Sequence, residues 1–119
     1  MTSNIIKTKN FYMALHTKYP ITEEHGTECT FGGYARQPAG NFIDLPTVPG
    51  WSLNTNADRI VFPECTHGKE MVRYFGIHTE QLGGVLLFAG EFDDPRMVIE
   101  RVRVVIEPGR ISIQMENDW

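Results

Sequence analysis

Short runs in which apolar residues occupy every second position recur along this chain, and they constrain its fold more than any other feature. Residues 11–15, 102–106 and 111–115 all show this alternation, and their apolar positions are Phe11, Met13 and Leu15; Val102, Val104 and Ile106; and Ile111, Ile113 and Met115. Because successive side chains of a β-strand point to opposite faces, each run predicts a strand with one apolar face. No segment shows the 3.6-residue spacing of an amphipathic helix.

Two β-rich runs, residues 72–79 and 84–92, are separated by four residues and predict a hairpin. Within the second run, residues 85–88 (VLLF) are all apolar and do not alternate. This pattern is typical of a strand covered on both faces. We therefore expect this segment in the middle of a sandwich, or buried by a neighbouring subunit.

Proline and glycine mark the predicted connections. Residues 18–33 and 45–50 read as loops, residues 93–95 as a turn, and residues 34–43 as a strand interrupted near Pro38. The Pro108–Gly109 pair predicts a hairpin between residues 102–106 and 111–115, through a type II turn or a type I turn with a bulge.

Seven to eight short strands at about ten-residue spacing predict an all-β fold, an antiparallel β-sandwich, jelly roll or Greek-key barrel. The 119 residues fit one domain, 1–119, which is long enough to bury a core without disulfides or metal. Residues 1–9 are polar and are expected to form a flexible N-terminal arm.

The net charge of -4 is not accompanied by a cluster of Lys and Arg, so neither nucleic acid nor a membrane surface is an expected partner. The first ten residues contain no apolar stretch of the kind found in signal peptides. We therefore expect no export directed by a signal peptide.

Four residues were considered as metal ligands, namely His25, Cys29, Cys65 and His67. They form two pairs with i, i+4 and i, i+2 spacing, and both differ from the usual spacing of structural zinc sites. No metal is therefore predicted, and the two cysteines are expected to be reduced thiols. His16 and His78 lie on predicted strands without a second histidine nearby, which argues against a cupin-like metal site and favours surface or half-buried imidazoles.

Catalytic patterns are missing from the sequence. There is no GxSxG motif, and the acidic pairs at residues 23–24 and 93–94 fall in turns, where carboxylates are favoured by solvation. We predict a protein that is not an enzyme and has no cofactor.

Three aromatic residues are candidates for an interface or a ligand-facing surface: Trp51, Tyr34 and Trp119. Exposed Trp and Tyr stack on sugars or anchor a protein partner. The alternative is structural, with Trp51 closing one end of the sandwich and Trp119 packing on a neighbouring surface.

Several segments, taken in order, resemble a family of small virion proteins of tailed bacteriophages, usually described as phage tail-fibre or minor structural proteins. These are ALHT (14–17), GGYARQP (32–38), FPE (62–64), residues 72–92 and EPGRISI (107–113), and the strongest piece is Glu28 followed by GGYARQ. The resemblance implies a virion building block without cofactor or catalytic residues. It implies major capsid or tail proteins as partners and, by analogy, a homo-oligomer that closes as a cyclic trimer.

Three functions follow as hypotheses. The first is a non-enzymatic structural protein, either a capsid decoration (cement) protein or a tail-tip or tail-fibre component, which stabilises the virion by packing between subunits. The second is a host-glycan-binding module that uses Trp51, Tyr34 and loop carboxylates. The third is a metal-dependent jelly-roll enzyme.

Overall fold

The computed structural model describes residues 5–7, 11–20, 28–48 and 51–116, with side chains for residues 11–20, 28–40 and 55–111. All regular structure in these ranges is β-strand, which confirms the predicted all-β class. The strands are β1 (Ile5–Lys7), β2 (Tyr12–His16), β3 (Gln37–Pro38), β4 (Asn41–Val48), β5 (Trp51–Asn56), β6 (Ile60–Val61), β7 (Glu70–His78), β8 (Leu86–Val98), β9 (Val105–Ile106) and β10 (Ser112–Glu116). Among them, seven have three or more residues, as predicted.

The strands form three sheets, and every pairing is antiparallel. The first sheet has the order β1-β4-β5-β10, the second has the order β3-β2-β7-β8, and the third is the pair β6-β9. The assignment to a sandwich, jelly roll or Greek-key barrel stays a prediction, as does the single domain with a flexible arm at residues 1–9.

The core is built on one face of the second sheet. Met13 lies opposite Ile77, and Leu15 lies opposite Phe75, so the apolar row predicted for residues 11–15 faces inward as expected. Further side chains of β7 and β8, of the β6-β9 pair and of the connecting segments complete this core (Cys29, Phe31, Ala39, Ile60, Phe62, Cys65, Val72, Val98, Ile106 and Ile111). The second sheet therefore carries the part of the molecule in which buried side chains can form a site.

The opposite face of β2 is also buried, which the alternating pattern did not predict. Ala14 and His16 are as inaccessible as Met13 and Leu15. On this face, the His16 ring packs against the His78 ring of β7.

The predicted hairpin of residues 72–79 and 84–92 is confirmed, because β7 pairs with β8. The predicted turn at residues 93–95 is wrong, since β8 continues through this segment to Val98. The extra residues are accommodated by a register irregularity opposite Val72 and Tyr74. A strand absorbs such an insertion as a bulge, without reversing direction.

Residues 85–88 were predicted to lie in mid-sandwich, and this position is wrong. β8 is the last strand of its sheet, and both Val85 and Leu87 are exposed. The other interpretation of the same pattern, burial by a neighbouring subunit, stays a prediction.

The Pro108–Gly109 turn is formed, but the hairpin is wrong. Arg110 N–H donates to the Glu107 carbonyl, and Gly109 has a φ of 80°, which is the geometry of a type II turn. However, β9 pairs with β6, and β10 pairs with β5, so the turn connects two different sheets.

Two boundaries around Pro38 and Pro46 also differ from expectation. The strand predicted over residues 34–43 is reduced to Gln37–Pro38, and β4 starts only at Asn41. The loop predicted over residues 45–50 is strand as far as Val48, since Pro46 is accommodated beside a register irregularity.

Candidate functional site

The segment of residues 28–37, which carries the GGYARQ motif, is fixed to the second sheet at its start. Glu28 forms an antiparallel bridge with His16, and Cys29 N–H donates to the Leu15 carbonyl at 2.8 Å. The backbone amides of Thr30 and Phe31 both donate to one carboxylate oxygen of Glu70, at 2.7 and 2.8 Å. Glu28 is therefore held in place at the end of β2.

The two glycines of the motif allow a close contact with the loop that precedes β7. Gly32 N–H donates to the His67 carbonyl, and the Gly32 carbonyl accepts from Thr66 N–H. A Cβ on Gly32 would lie 2.3 Å from the His67 ring, and Gly33 has a φ of 88°. Only glycine fits this approach without moving the neighbouring loop.

Glu28, Tyr34 and Arg36 form a hydrogen-bonded network at the centre of the motif. The Arg36 guanidinium binds both Glu28 carboxylate oxygens, with Nε to Oε2 at 2.8 Å and Nη2 to Oε1 at 2.9 Å. The Tyr34 hydroxyl donates to Glu28 Oε2 and accepts from Leu15 N–H at 3.1 Å. Only 7% of the Arg36 side chain and 19% of the Glu28 side chain are exposed.

The pKa shifts follow from this geometry. Burial alone would raise the pKa of Glu28, but the hydrogen bonds from Arg36 and Tyr34 and the nearby Arg36 charge outweigh burial and lower it. Burial and the Glu28 carboxylate raise the pKa of Tyr34. The hydrogen bond to Glu28 raises the pKa of Arg36 despite burial. The network is therefore one anion, one cation and one neutral phenol.

Arg36 also holds the loop between β7 and β8. Its Nη1 donates to the carbonyls of Glu80 and Gly83, at 2.9 and 2.8 Å. Four of the guanidinium donors thus bind partners within the protein, and a guanidinium has five in all. A side chain committed in this way positions backbone segments and has little capacity left for a ligand.

An open pocket lies beside this network. It is lined by Glu28, Cys29, Thr30, Tyr34, Ala35, Arg36, Gln81, Leu82 and Gly83. Leu82 is 88% exposed. The motif and the hairpin loop therefore form one continuous surface.

A second buried polar group lies on the other face of the same sheet. His16 and His78 are both 1% exposed, and their Nε2 atoms are 3.5 Å apart. A Cβ on Gly76 would come within 3.0 Å of both nitrogens. Surface or half-buried imidazoles were predicted here, and that prediction is wrong. The sequence feature that could have indicated buried rings is Gly76, two residues before His78 on the same strand, because a residue without a side chain leaves room for them.

Three of the four candidate metal ligands, Cys29, Cys65 and His67, lie within the described residues. Cys29 and Cys65 are buried in the core, while His67 is exposed, and His25 lies outside the described residues. The Cys65 thiol donates to the His67 carbonyl at 3.3 Å. Burial raises the pKa of the Cys29 thiol, so this sulfur is a neutral thiol. Within the described ranges, no three His, Cys, Asp or Glu side chains form a group suited to a metal ion.

The three aromatic candidates do not form a common surface in the described part of the chain. Tyr34 lines the pocket, but its ring stacks on Phe62 and its hydroxyl is bound in the network. Trp51 begins β5, with its side chain outside the described set, and Trp119 lies beyond the described residues. A contact role for each of the three stays a prediction.

Chemically, this arrangement is suited to holding loops in a fixed position. The buried carboxylate is neutralised by Arg36, and the phenol is kept protonated, so neither group is a free acid, base or nucleophile.

In the portion of the chain that the structure covers, no helix is long and apolar enough to cross a membrane.

Comparison with known proteins gives one family. No curated protein matches the sequence. The family model described as Podophage GP4 fiber I protein gp80 matches residues 2–114, which is nearly the whole chain and includes Glu28, the GGYARQ motif and the β7–β8 hairpin. The resemblance seen in the sequence is thereby confirmed, and this chain belongs to that phage fibre family.

Proposed function

We propose that this protein is a non-enzymatic component of a phage tail fibre, which stabilises the fibre by packing between protein subunits. The observation that carries the proposal is the family membership over residues 2–114. The family is one of fibre proteins, so a fibre location is favoured over the capsid decoration role considered from the sequence.

The geometry of the motif supports a structural role. Arg36 and Glu28 bind each other and the backbone of a neighbouring loop, and they offer no free reactive group. Networks of this kind define loop position, and rigid loops are suited to protein contacts because less conformational entropy is lost on binding.

The exposed apolar side chains support subunit packing. Leu82, Val85, Leu87, Met97 and Ile99 are all exposed, and they lie in or next to β8 and its preceding loop. Single exposed apolar residues are common, but several along one strand mark a candidate contact surface. The partners we propose are other tail proteins and further copies of this chain.

The test is the location of the protein in purified phage particles. Gold-labelled antibody against this protein, viewed by electron microscopy, is expected to label the tail fibres. Label on the capsid would favour the decoration role instead. Particles that contain none of the protein would refute a virion role altogether.

Glycan binding is tested separately with the purified protein on a glycan array. We expect no specific signal, because the Tyr34 ring is packed on Phe62. A specific signal that is lost in Trp51→Ala would support the glycan-binding alternative.

A further inference from the structure

Two histidines from distant parts of the chain meet on the face of the second sheet that lies opposite the core. His16 of β2 and His78 of β7 are 62 residues apart in the sequence. The antiparallel register of β2 and β7 places the Ala14–Gly76 pair between them. Because this pair carries a single methyl group, the two imidazoles can extend toward each other across it.

The two rings face each other through their Nε2 atoms. The ring planes are inclined by 18°, the ring centres are 5.7 Å apart, and the Nε2 atoms are 3.5 Å apart. Since the nitrogens are much closer than the ring centres, each nitrogen points at the other ring. A separation of 3.5 Å is long for a hydrogen bond to an N–H donor, which is usually about 3 Å. The pair is therefore held less closely than a good hydrogen bond would hold it.

The same separation suits two nitrogens that bind one metal ion. An imidazole nitrogen binds such an ion at about 2 Å, so two nitrogens on one ion lie roughly 3.3 to 4 Å apart, from tetrahedral to linear geometry. Neutral imidazole is also the commonest metal ligand in proteins. His16 and His78 therefore have the chemistry and the spacing of a pair of metal ligands.

The charge and the geometry of the pair select the kind of ion. Both ligands are neutral and only 1% exposed, so the whole charge of a bound ion would be buried. Burying a charge is costly, and the cost is far smaller for a univalent ion than for a divalent one. Within residues 11–20, 28–40 and 55–111, no third His, Cys, Asp or Glu joins the pair in a metal-binding group. Zinc prefers four ligands in a tetrahedron, whereas copper(I) accepts two ligands that face each other.

Gly76 keeps the space beside the two nitrogens open. A Cβ at this position would lie 3.0 Å from both Nε2 atoms and 2.9 Å from Leu86 Cδ1. Any side chain here would therefore force the two rings away from each other. The Leu86 methyl group makes this side of the pair apolar, which favours an ion without a water shell.

We propose that His16 and His78 bind one copper(I) ion between their Nε2 atoms and that this ion links β2 to β7. Each histidine binds as the neutral tautomer that carries its proton on Nδ1. The ion enters and leaves as copper(I), so no electron is transferred. The inference goes beyond the proposed role in the fibre and does not depend on it, because the site lies within a single chain.

The test is the binding of copper(I) to the purified full-length protein without oxygen, with ascorbate as reductant and the coloured chelator bicinchoninate as competitor. X-ray absorption of the loaded wild type is expected to show nitrogen neighbours and no sulfur. His78→Gln is expected to weaken copper(I) binding by at least about 100-fold, because one of two ligands is lost. His67→Gln is the control, since His67 is exposed on another loop, and it should leave the affinity unchanged.

A wild type that does not bind copper(I), sulfur neighbours around the copper, or equal affinity in His78→Gln would overturn the inference. Circular dichroism shows whether His78→Gln folds. If it does not fold, nitrogen NMR of the wild type decides. The side-chain signals of two histidines should then change together at one equivalent of copper(I), while the His67 signal, identified by its loss in His67→Gln, stays the same. Signals that do not change in this way would refute the site. The location of the protein in phage particles is unaffected by either result.

Discussion

Glu28 and Arg36 lose most of their contact with water on folding, and each neutralises the buried charge of the other. A buried ion pair with good geometry offsets its desolvation only while both partners are present. Here the pair is bidentate and is joined by the Tyr34 hydroxyl and two loop carbonyls. The stability of the loop therefore depends on the whole set of contacts.

Replacing Arg36 with Met is expected to reduce the free energy of unfolding by roughly 3–5 kcal/mol, because the Glu28 carboxylate is left buried and uncompensated. The measurement is urea denaturation at pH 7. Arg59→Met is the matched control, since the Arg59–Glu107 pair is 60% and 55% exposed, and its loss should cost less than about 1 kcal/mol.

The double variant Arg36→Met/Glu28→Gln completes the comparison. It should recover part of the stability lost in Arg36→Met, because the unpaired charge is removed. Equal destabilisation by Arg36→Met and Arg59→Met would contradict the assigned role of the network.

The lowered pKa of Glu28 gives a pH dependence with a defined sign. The folded-state pKa lies below the ordinary glutamate value of 4.5, so folding favours the ionised form. The resulting stabilisation is complete above the unfolded-state pKa and is lost as the pH falls through the lower folded-state pKa. The stability difference between wild type and Glu28→Gln should therefore be largest near pH 7 and shrink in acid. Urea denaturation of both proteins between pH 7 and pH 3 measures it, and a difference that stays constant would contradict the shift.

At the scale of single elements, glycine decides how closely the strands of the second sheet pack. Gly76 of β7 lies between the His16 and His78 imidazoles and leaves the space that both rings use. On the other face, a Cβ on Gly90 of β8 would lie 2.5 Å from the Phe75 ring. Close packing on both faces thus depends on positions that have no side chain.

Gly76→Ala is expected to destabilise the protein by more than Gly83→Ala. The added methyl group in β7 would come within 3.0 Å of both histidine Nε2 atoms and 2.9 Å of Leu86 Cδ1. At Gly83, which has a φ of 70°, nothing lies within 4 Å of the added Cβ, so the cost is the backbone strain alone, about 1 kcal/mol. Thermal unfolding of the two variants compares them, and a larger loss in Gly83→Ala would contradict the described packing.

The sequence predicted several strands and the β7–β8 hairpin, but not the pairing across the Pro108–Gly109 turn. Alternation located strands at residues 11–15 and 111–115, because side-chain period is a local property of the backbone. Of the alternating residues 102–106, only Val105–Ile106 is strand. Pairing is set by contacts distant in the sequence, so the turn at Pro108–Gly109 was predicted correctly while the hairpin across it was not. The same limit applies to the site. The sequence singled out Glu28 and the GGYARQ motif, but their ion pair and the buried histidines depend on strands brought together by the fold.

At the scale of the molecule, the described core contains side chains of the second and third sheets. Buried side chains from β2, β6, β7, β8 and β9 belong to one cluster, and this cluster includes both Cys29 and Cys65. The first sheet contains β5, which begins at Trp51. The two cysteines and Trp51 are therefore natural reporters for different sheets of the protein.

If residues 1–119 fold as one domain, both reporters should respond in a single transition. The test uses Trp119→Phe, so that Trp51 is the one tryptophan left. Its fluorescence and the labelling of Cys29 and Cys65 by iodoacetamide are followed across a urea gradient. The buried cysteines should resist labelling in the native protein, and the two midpoints should coincide, because coincident transitions measured by different probes indicate two-state unfolding. A fluorescence change at clearly lower urea than thiol exposure would show that the first sheet unfolds separately, and the single-domain prediction would then be wrong.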